Sequence, residues 1–409
     1  MRGKTVAELL KGPRPLALHF SNSQVIWAGA GQNPVSALEK SNWHPDLLER
    51  AQDLLSELKA SGDTSAFEDA VRAKAQARKE TFLAGINSYL SNDYVRAESN
   101  ATICFELGSA RLLDFGGDGE PILMVPSLIN PHYILDLMPG RSLAEFLKSQ
   151  GYRPYLLNWG APGDSEKHFG LEDYICDRLL PVLEHVVKSA GGAVPLVGYC
   201  MGGTLSAAVT AITGGLVSKL VLLAAPWDFE TEKPHAGRKY VPEMISHINS
   251  LPETGTVAVD VLQTFFTSVD PTLNDRKFRS YAAGKYKAEA AEFFSAMEVW
   301  ANNSEPLARR AAEECMLYWY KNNDTMHGRW SIRSKTVALC QIDCPVWVAA
   351  PKADRLVPQE SAFAMVSQLR SATKHAPPSG HIGMVVGDRA KEGLWKPMVK
   401  WLEETKGAA

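Results

Sequence analysis

The chain has 409 residues, of which 45% are hydrophobic and 22% charged, and its net charge is −3. This balance excludes a disordered chain, a collagen-like one and a small disulfide scaffold, and it lacks the broad basic footprint of a nucleic-acid binder. The length suffices for a large core without metal or disulfide staples. Six scattered cysteines and no apolar run of about 18 residues point to a cytoplasmic protein with reduced thiols.

The opening MRGKTVAELLKGPRPL is broken by charges and prolines and carries no secretory signal. Residues 1–100 read as a helical N-terminal region, with apolar residues at helical spacing over His44–Ala60 and Phe67–Tyr89. The basic cluster Arg72, Lys74, Arg78 and Lys79 reads as a solvated helix face. From Thr102 the period changes. TICFEL, Gly108-Ser109 and ARLLDF read as a hairpin. Strands are then predicted at 121–127, 153–159, 193–199, 219–225 and 345–351, with a short one at 374–378. Helices are predicted at 142–150, 171–190, after Cys200, at 361–372 and at 394–404. A helical, loop-rich block at about 230–338 interrupts this alternation and reads as a cap inserted into a catalytic domain spanning 101–409. Alternating strands and helices imply a mostly parallel sheet covered on both faces, with ligands bound at the carboxyl ends of its strands.

At the carboxyl end of the strand AVPLVGY stands Gly198-Tyr199-Cys200-Met201-Gly202-Gly203, opening a helix. A nucleophile on such a sharp strand-to-helix turn needs small neighbours, because side chains two residues before and after it would collide. The helix N-terminus favours a thiolate and offers N–H groups to an oxyanion. Cys200 is therefore the candidate nucleophile. Its partners should follow in the chain order acid, then histidine. Asp343 precedes the strand PVWVAAP, at the wrong edge of the sheet, whereas Asp354 follows it, so Asp354 is the candidate acid. His375 starts its strand; His381, in the loop PSGHIG, lies at the correct edge and is the candidate base. Ser127 or Leu128, with Leu128 preferred, would supply one oxyanion N–H and Met201 the other. Cys340 and Cys344 have no second pair beside them, so buried thiols are expected there and no metal site.

The run Val125-Pro126-Ser127-Leu128-Ile129-Asn130-Pro131-His132-Tyr133-Ile134-Leu135-Asp136-Leu137, the cysteine box, Ala225-Pro226-Trp227-Asp228-Phe229, Asp354-Arg355-Leu356-Val357-Pro358 and Ser379-Gly380-His381-Ile382 together resemble the polyhydroxyalkanoate synthases of the α/β-hydrolase superfamily. The similarity covers roughly residues 100–405. It implies an α/β-hydrolase fold in which Cys200 carries the acyl group, His381 is the base and Asp354 its partner. Asn130, Tyr133 and Trp227 are expected near the substrate, Tyr133 and Trp227 serving equally well as packing. The implied reaction polymerises (R)-3-hydroxyacyl-CoA, with acyl-CoA as substrate and no cofactor. The expected partners are the growing polyester, the surface of its granule and a second copy of the chain. A thioesterase or depolymerase with the same triad, and a non-catalytic granule-associated protein, are the alternatives. The chain departs from the family at Arg355, where a histidine is usual, and in the block WANNSEPLARR. It also departs in its shorter first 100 residues. The runs LQTFFTSVDP and MLYWY of the cap either line an apolar tunnel that keeps water out or form ordinary cap core.

Overall fold

A computed structural model describes residues 12–231, 237–284 and 286–405. The chain divides into two compact units: one holds the residues up to Tyr94 together with Asp270–Asn302, the other Val95–Val269 with Asn303 onward.

The first unit is helical. Its helices are Leu16–Gln32, Pro34–Lys40, Pro45–Ser61, Ser65–Leu90, Leu273–Ala282 and Ala288–Asn302. Pro45 opens its helix at a position where the missing N–H costs nothing, and Gly62 ends it in the left-handed conformation. Phe82, Ile86 and Tyr89 from the N-terminal region share a core with Phe278 and Phe294. Phe278 meets Phe82 and Phe294 edge to face, at 6.3 and 5.4 Å between ring centroids. Gly85 permits the close approach of the two helices, since a Cβ there would lie 2.0 Å from the Phe278 carbonyl oxygen. The segment 270–302, read from sequence as part of the cap, thus supplies two of the five buried residues of this core.

The second unit is built on an eight-stranded sheet. Its strands are β1 (Thr102–Leu107), β2 (Ala110–Asp114), β3 (Glu120–Val125), β4 (Tyr152–Asn158), β5 (Val194–Tyr199), β6 (Val217–Leu223), β7 (Val346–Ala349) and β8 (Ala372–His375). Their order is β1-β2-β4-β3-β5-β6-β7-β8. β1, β2 and β4 pair antiparallel; every later neighbour pairs parallel. β5 and the last five residues of β6 are wholly buried, as expected of strands covered on both faces. The last strand lies two residues earlier than its sequence suggests, over Ala372–His375, because His375 pairs with Ala349 and Pro377 and Pro378 cannot extend a ladder. The preceding helix stops at Ala364 and tightens into a 3₁₀ turn to Gln368, shorter than predicted.

One buried ion pair braces this unit near the hairpin. The Glu166 carboxylate, with no exposed surface, accepts from the Arg178 guanidinium, the Ser109 N–H at 2.9 Å and the Gly163 N–H at 3.1 Å. Burial opposes its ionisation, but these donors outweigh burial and hold its pKa at about 2.

Candidate active site

β5 ends at Tyr199, and the helix Met201–Thr213 begins one residue after Cys200. Cys200 joins them at φ 55°, ψ −127°, a left-handed backbone that costs a non-glycine residue on the order of 1–3 kcal/mol and persists only where its surroundings enforce it. The glycines around it have no room for side chains. A Cβ on Gly198 would lie 2.5 Å from the Gly203 Cα, and one on Gly202 2.2 Å from the Pro126 carbonyl oxygen. One on Gly203 would lie 2.6 Å from the Ala225 Cβ. Both close backbone contacts are what a sharp elbow requires. The approach of Gly202 to the Val125 and Pro126 carbonyls sets the start of the loop after β3 against the elbow. The Trp159 indole holds that loop by donating to the Pro126 carbonyl at 3.0 Å.

Asp354 follows β7 in a tight turn. One carboxylate oxygen accepts from the N–H groups of Leu356 and Val357, at 2.8 and 2.9 Å. The other meets His381 Nδ1 at 2.7 Å. The carboxylate is fully buried and the imidazole 9% exposed. The Cys200 sulfur is near enough to the same ring for its charge to act on it. Burial disfavours the charged ring, yet the charges of Asp354 and Cys200 hold its pKa well above the ordinary imidazole value. Cys200, Asp354 and His381 therefore stand together. Asp343 does not join them: it is exposed and paired with Arg370. Nor does His375, which lies against Trp347 and bonds the Gly393 carbonyl at 2.6 Å.

The three expected pocket residues fall differently. Trp227 is core: it has no exposed surface, and its indole N–H donates to Gln368 Oε1 at 3.0 Å. Its carbonyl accepts from the buried Thr325 hydroxyl. Tyr133 carries the Arg96 guanidinium over its ring at 4.3 Å, and Arg96 also bonds Asp136. Asn130 Oδ1 accepts from the Ser304 hydroxyl at 2.8 Å, and Glu305 N–H donates to the Ile129 carbonyl at 3.0 Å. The loop after β3 is thus stapled to residues 303–305.

Two further roles were not legible in the sequence, one beside His381 and one in the cap. Tyr199 lies against His381, ring centroids 5.3 Å apart, and is pinned under it by burial. Asn323, left-handed at φ 51°, accepts from the Phe229 N–H and donates to Asp228. The Asn322-Asn323-Asp324 cluster, a frequent left-handed turn composition, was the available signal. All six cysteines are free thiols; Cys340 is exposed and Cys344 half-buried.

This elbow, with a histidine–aspartate pair at the same sheet edge, defines a class. Residues 120–388 match the α/β-hydrolase fold family, and the chain belongs to that family. Within it, the relatives are polyester polymerases. The sequence is 30% identical over 289 residues to the PhaC subunit of poly(3-hydroxyalkanoate) polymerase from Haloarcula marismortui, covering 69% of this chain and 61% of that one. The same subunit from Haloferax mediterranei is 28% identical, over 74% of this chain and 63% of that one. The subunit from Allochromatium vinosum is 27% identical, over 69% and 81%. The chain therefore matches somewhat under two thirds of the length of the first two relatives. Among the described residues no helix is long and apolar enough to cross a membrane.

Proposed function

We propose that the chain is an acyltransferase that polymerises (R)-3-hydroxyacyl-CoA through a thioester on Cys200. The observation that carries this reading is a cysteine, rather than a serine, on the elbow beside the His381–Asp354 pair, in a chain related to PhaC subunits. His381 takes the thiol proton, and the sulfur of Cys200 attacks the thioester carbonyl. The developing oxyanion is met by the N–H groups of Leu128 and Met201. The carbonyl–sulfur bond to CoA breaks, and the proton passes from His381 to the departing CoA sulfur. One thioester replaces another, so little bond energy changes. His381 then accepts the proton of the 3-hydroxyl of another acyl unit as that oxygen attacks the acyl-Cys200 carbonyl. An ester forms, and the Cys200 sulfur leaves and is reprotonated. Transfer outruns hydrolysis only where water is kept out. The apolar product separates from water as it grows, so in this reading the enzyme works at the surface of a polyester granule.

The test is incubation of the purified protein with (R)-3-hydroxybutyryl-CoA. CoA release accompanied by insoluble polyester supports the proposal. Free hydroxy acid released in step with CoA, without polymer, makes the protein a thioesterase instead. No CoA release, together with no labelling of Cys200 by a thiol-directed acyl probe, makes it a non-catalytic relative.

A further inference from the structure

Tyr199 performs no proton transfer, yet it joins the nucleophile to the base. It is the last residue of β5 and immediately precedes Cys200. Its backbone is fixed, because Tyr199 pairs in register with Leu223 of β6 and the Cys200 N–H donates to the Leu223 carbonyl at 2.8 Å. Its ring lies against the His381 imidazole, with centroids 5.3 Å apart and planes inclined by 34°. Its phenol O–H donates to the His381 carbonyl at 3.4 Å. Only 3% of the residue is exposed, and burial with the nearby charges of Cys200 and Asp354 keeps the phenol protonated. β5 thus reaches His381 at two points, whereas Asp354 meets the same ring from the turn after β7, through Nδ1 at 2.7 Å.

The contact bears on charge as well as on position. Three groups act on the imidazole: Asp354 from the turn after β7, Cys200 from the elbow and Tyr199 from β5. When His381 accepts the thiol proton it becomes a cation in a buried site. A cation within about 6 Å of an aromatic centroid is attracted by the negative face of the ring, most strongly where water is excluded. The neutral imidazole gains no such attraction. An interaction made only with the charged ring favours the step in which that charge forms, and leaves substrate binding unchanged.

We infer that Tyr199 is a positioning residue, whose ring holds His381 beside Cys200 and steadies the imidazolium formed when the thiol gives up its proton. The inference rests on Cys200 and His381 acting as nucleophile and base, whether water or a hydroxyacyl unit then takes the acyl group. The phenol hydrogen bond is long, so the ring rather than the hydroxyl carries the effect.

The experiment compares the full native chain with Tyr199→Leu, Tyr199→Phe and a chain carrying a fluorinated phenylalanine in place of Tyr199. Fluorine keeps the shape of the ring and withdraws the negative charge from its face. The imidazole NMR titration of His381 is followed in each. Alkylation of Cys200 by iodoacetamide at neutral pH is read on its own peptide by mass spectrometry. In Tyr199→Leu and in the fluorinated chain the titration midpoint moves to lower pH by about one unit, and alkylation slows by about tenfold. kcat for (R)-3-hydroxybutyryl-CoA falls by about the same factor, with KM held within about threefold of native. Tyr199→Phe keeps the native midpoint and stays within about threefold of native in every rate. An unmoved midpoint in the fluorinated chain overturns the inference, as does an unchanged alkylation rate. So does a Tyr199→Phe that behaves like Tyr199→Leu. If Tyr199→Leu fails to fold, the fluorinated chain, equal in shape to Tyr199→Phe, decides alone. If no chain releases CoA, the polymerase reading fails instead, and the titration and alkylation still judge Tyr199.

Discussion

Cys200 combines a strained backbone with a small, half-buried side chain, so its chemistry and its packing separate cleanly. Cys200→Ala keeps the Cβ and the same left-handed backbone and removes only sulfur. Its unfolding free energy should stay within about 0.5 kcal/mol of native, while turnover falls by about 10⁴-fold or more. A collapsed melting transition would make Cys200 a packing residue. His381 invites a second experiment. Its pKa is raised by Asp354 and Cys200, so the stability this gives is complete below the unfolded value of about 6.5 and is lost as pH rises through the folded value. Asp354→Asn removes the principal charge that holds the proton. The imidazole NMR titration of His381 should then move to lower pH, with kcat reduced by about 10³–10⁴-fold. The stability gap to the native protein should be widest near pH 6 and close in alkali. An unshifted imidazole midpoint would mean that Asp354 does not govern this ring.

The elements show where local pattern was enough. β3, β5 and β6 are runs of apolar residues between turn signals, and they fold within two residues of their sequence bounds because no register other than burial on both faces suits them. β8 is short and half-exposed, so ladder pairing and the following prolines set its limits instead. The Glu166–Arg178 pair had no sequence signal, since single charged residues in a loop and a helix read as surface. It ties the β1–β2 turn and the loop after β4 to the helix region that starts at Leu171. Arg178→Met leaves a buried carboxylate without its cation and should cost about 3–5 kcal/mol in urea unfolding; a loss under about 1 kcal/mol would show the pair to be dispensable. Glu166 carries the opposite pH sign to His381. With a folded pKa of about 2, its contribution is present above the ordinary carboxylate range and fades as pH falls toward that value.

For the whole molecule, the sharpest surprise is the composition of the helical unit. Phe278 and Phe294 lie about two thirds of the way along the chain, yet their packing partners Phe82, Ile86 and Tyr89 come from its first quarter. Deleting the residues through Tyr94 would strip both phenylalanines of their cover. The truncated protein should bind the hydrophobic dye ANS strongly and aggregate; a soluble, compact truncated protein would contradict the shared core. The sequence by itself determined the alternating α/β architecture and the addresses of Cys200, Asp354 and His381. Each of those depends on a local rule: glycines beside a sharp turn, and a polar residue just past the carboxyl end of a strand. Only the tertiary structure decided which of the candidate aromatics are core. Trp227 was open to either reading in the sequence, and its complete burial with the indole N–H fixed on Gln368 Oε1 places it in the core. The tertiary structure alone also joined residues 270–302 to the N-terminal helices, because which apolar faces meet depends on three-dimensional fit between segments far apart in the chain.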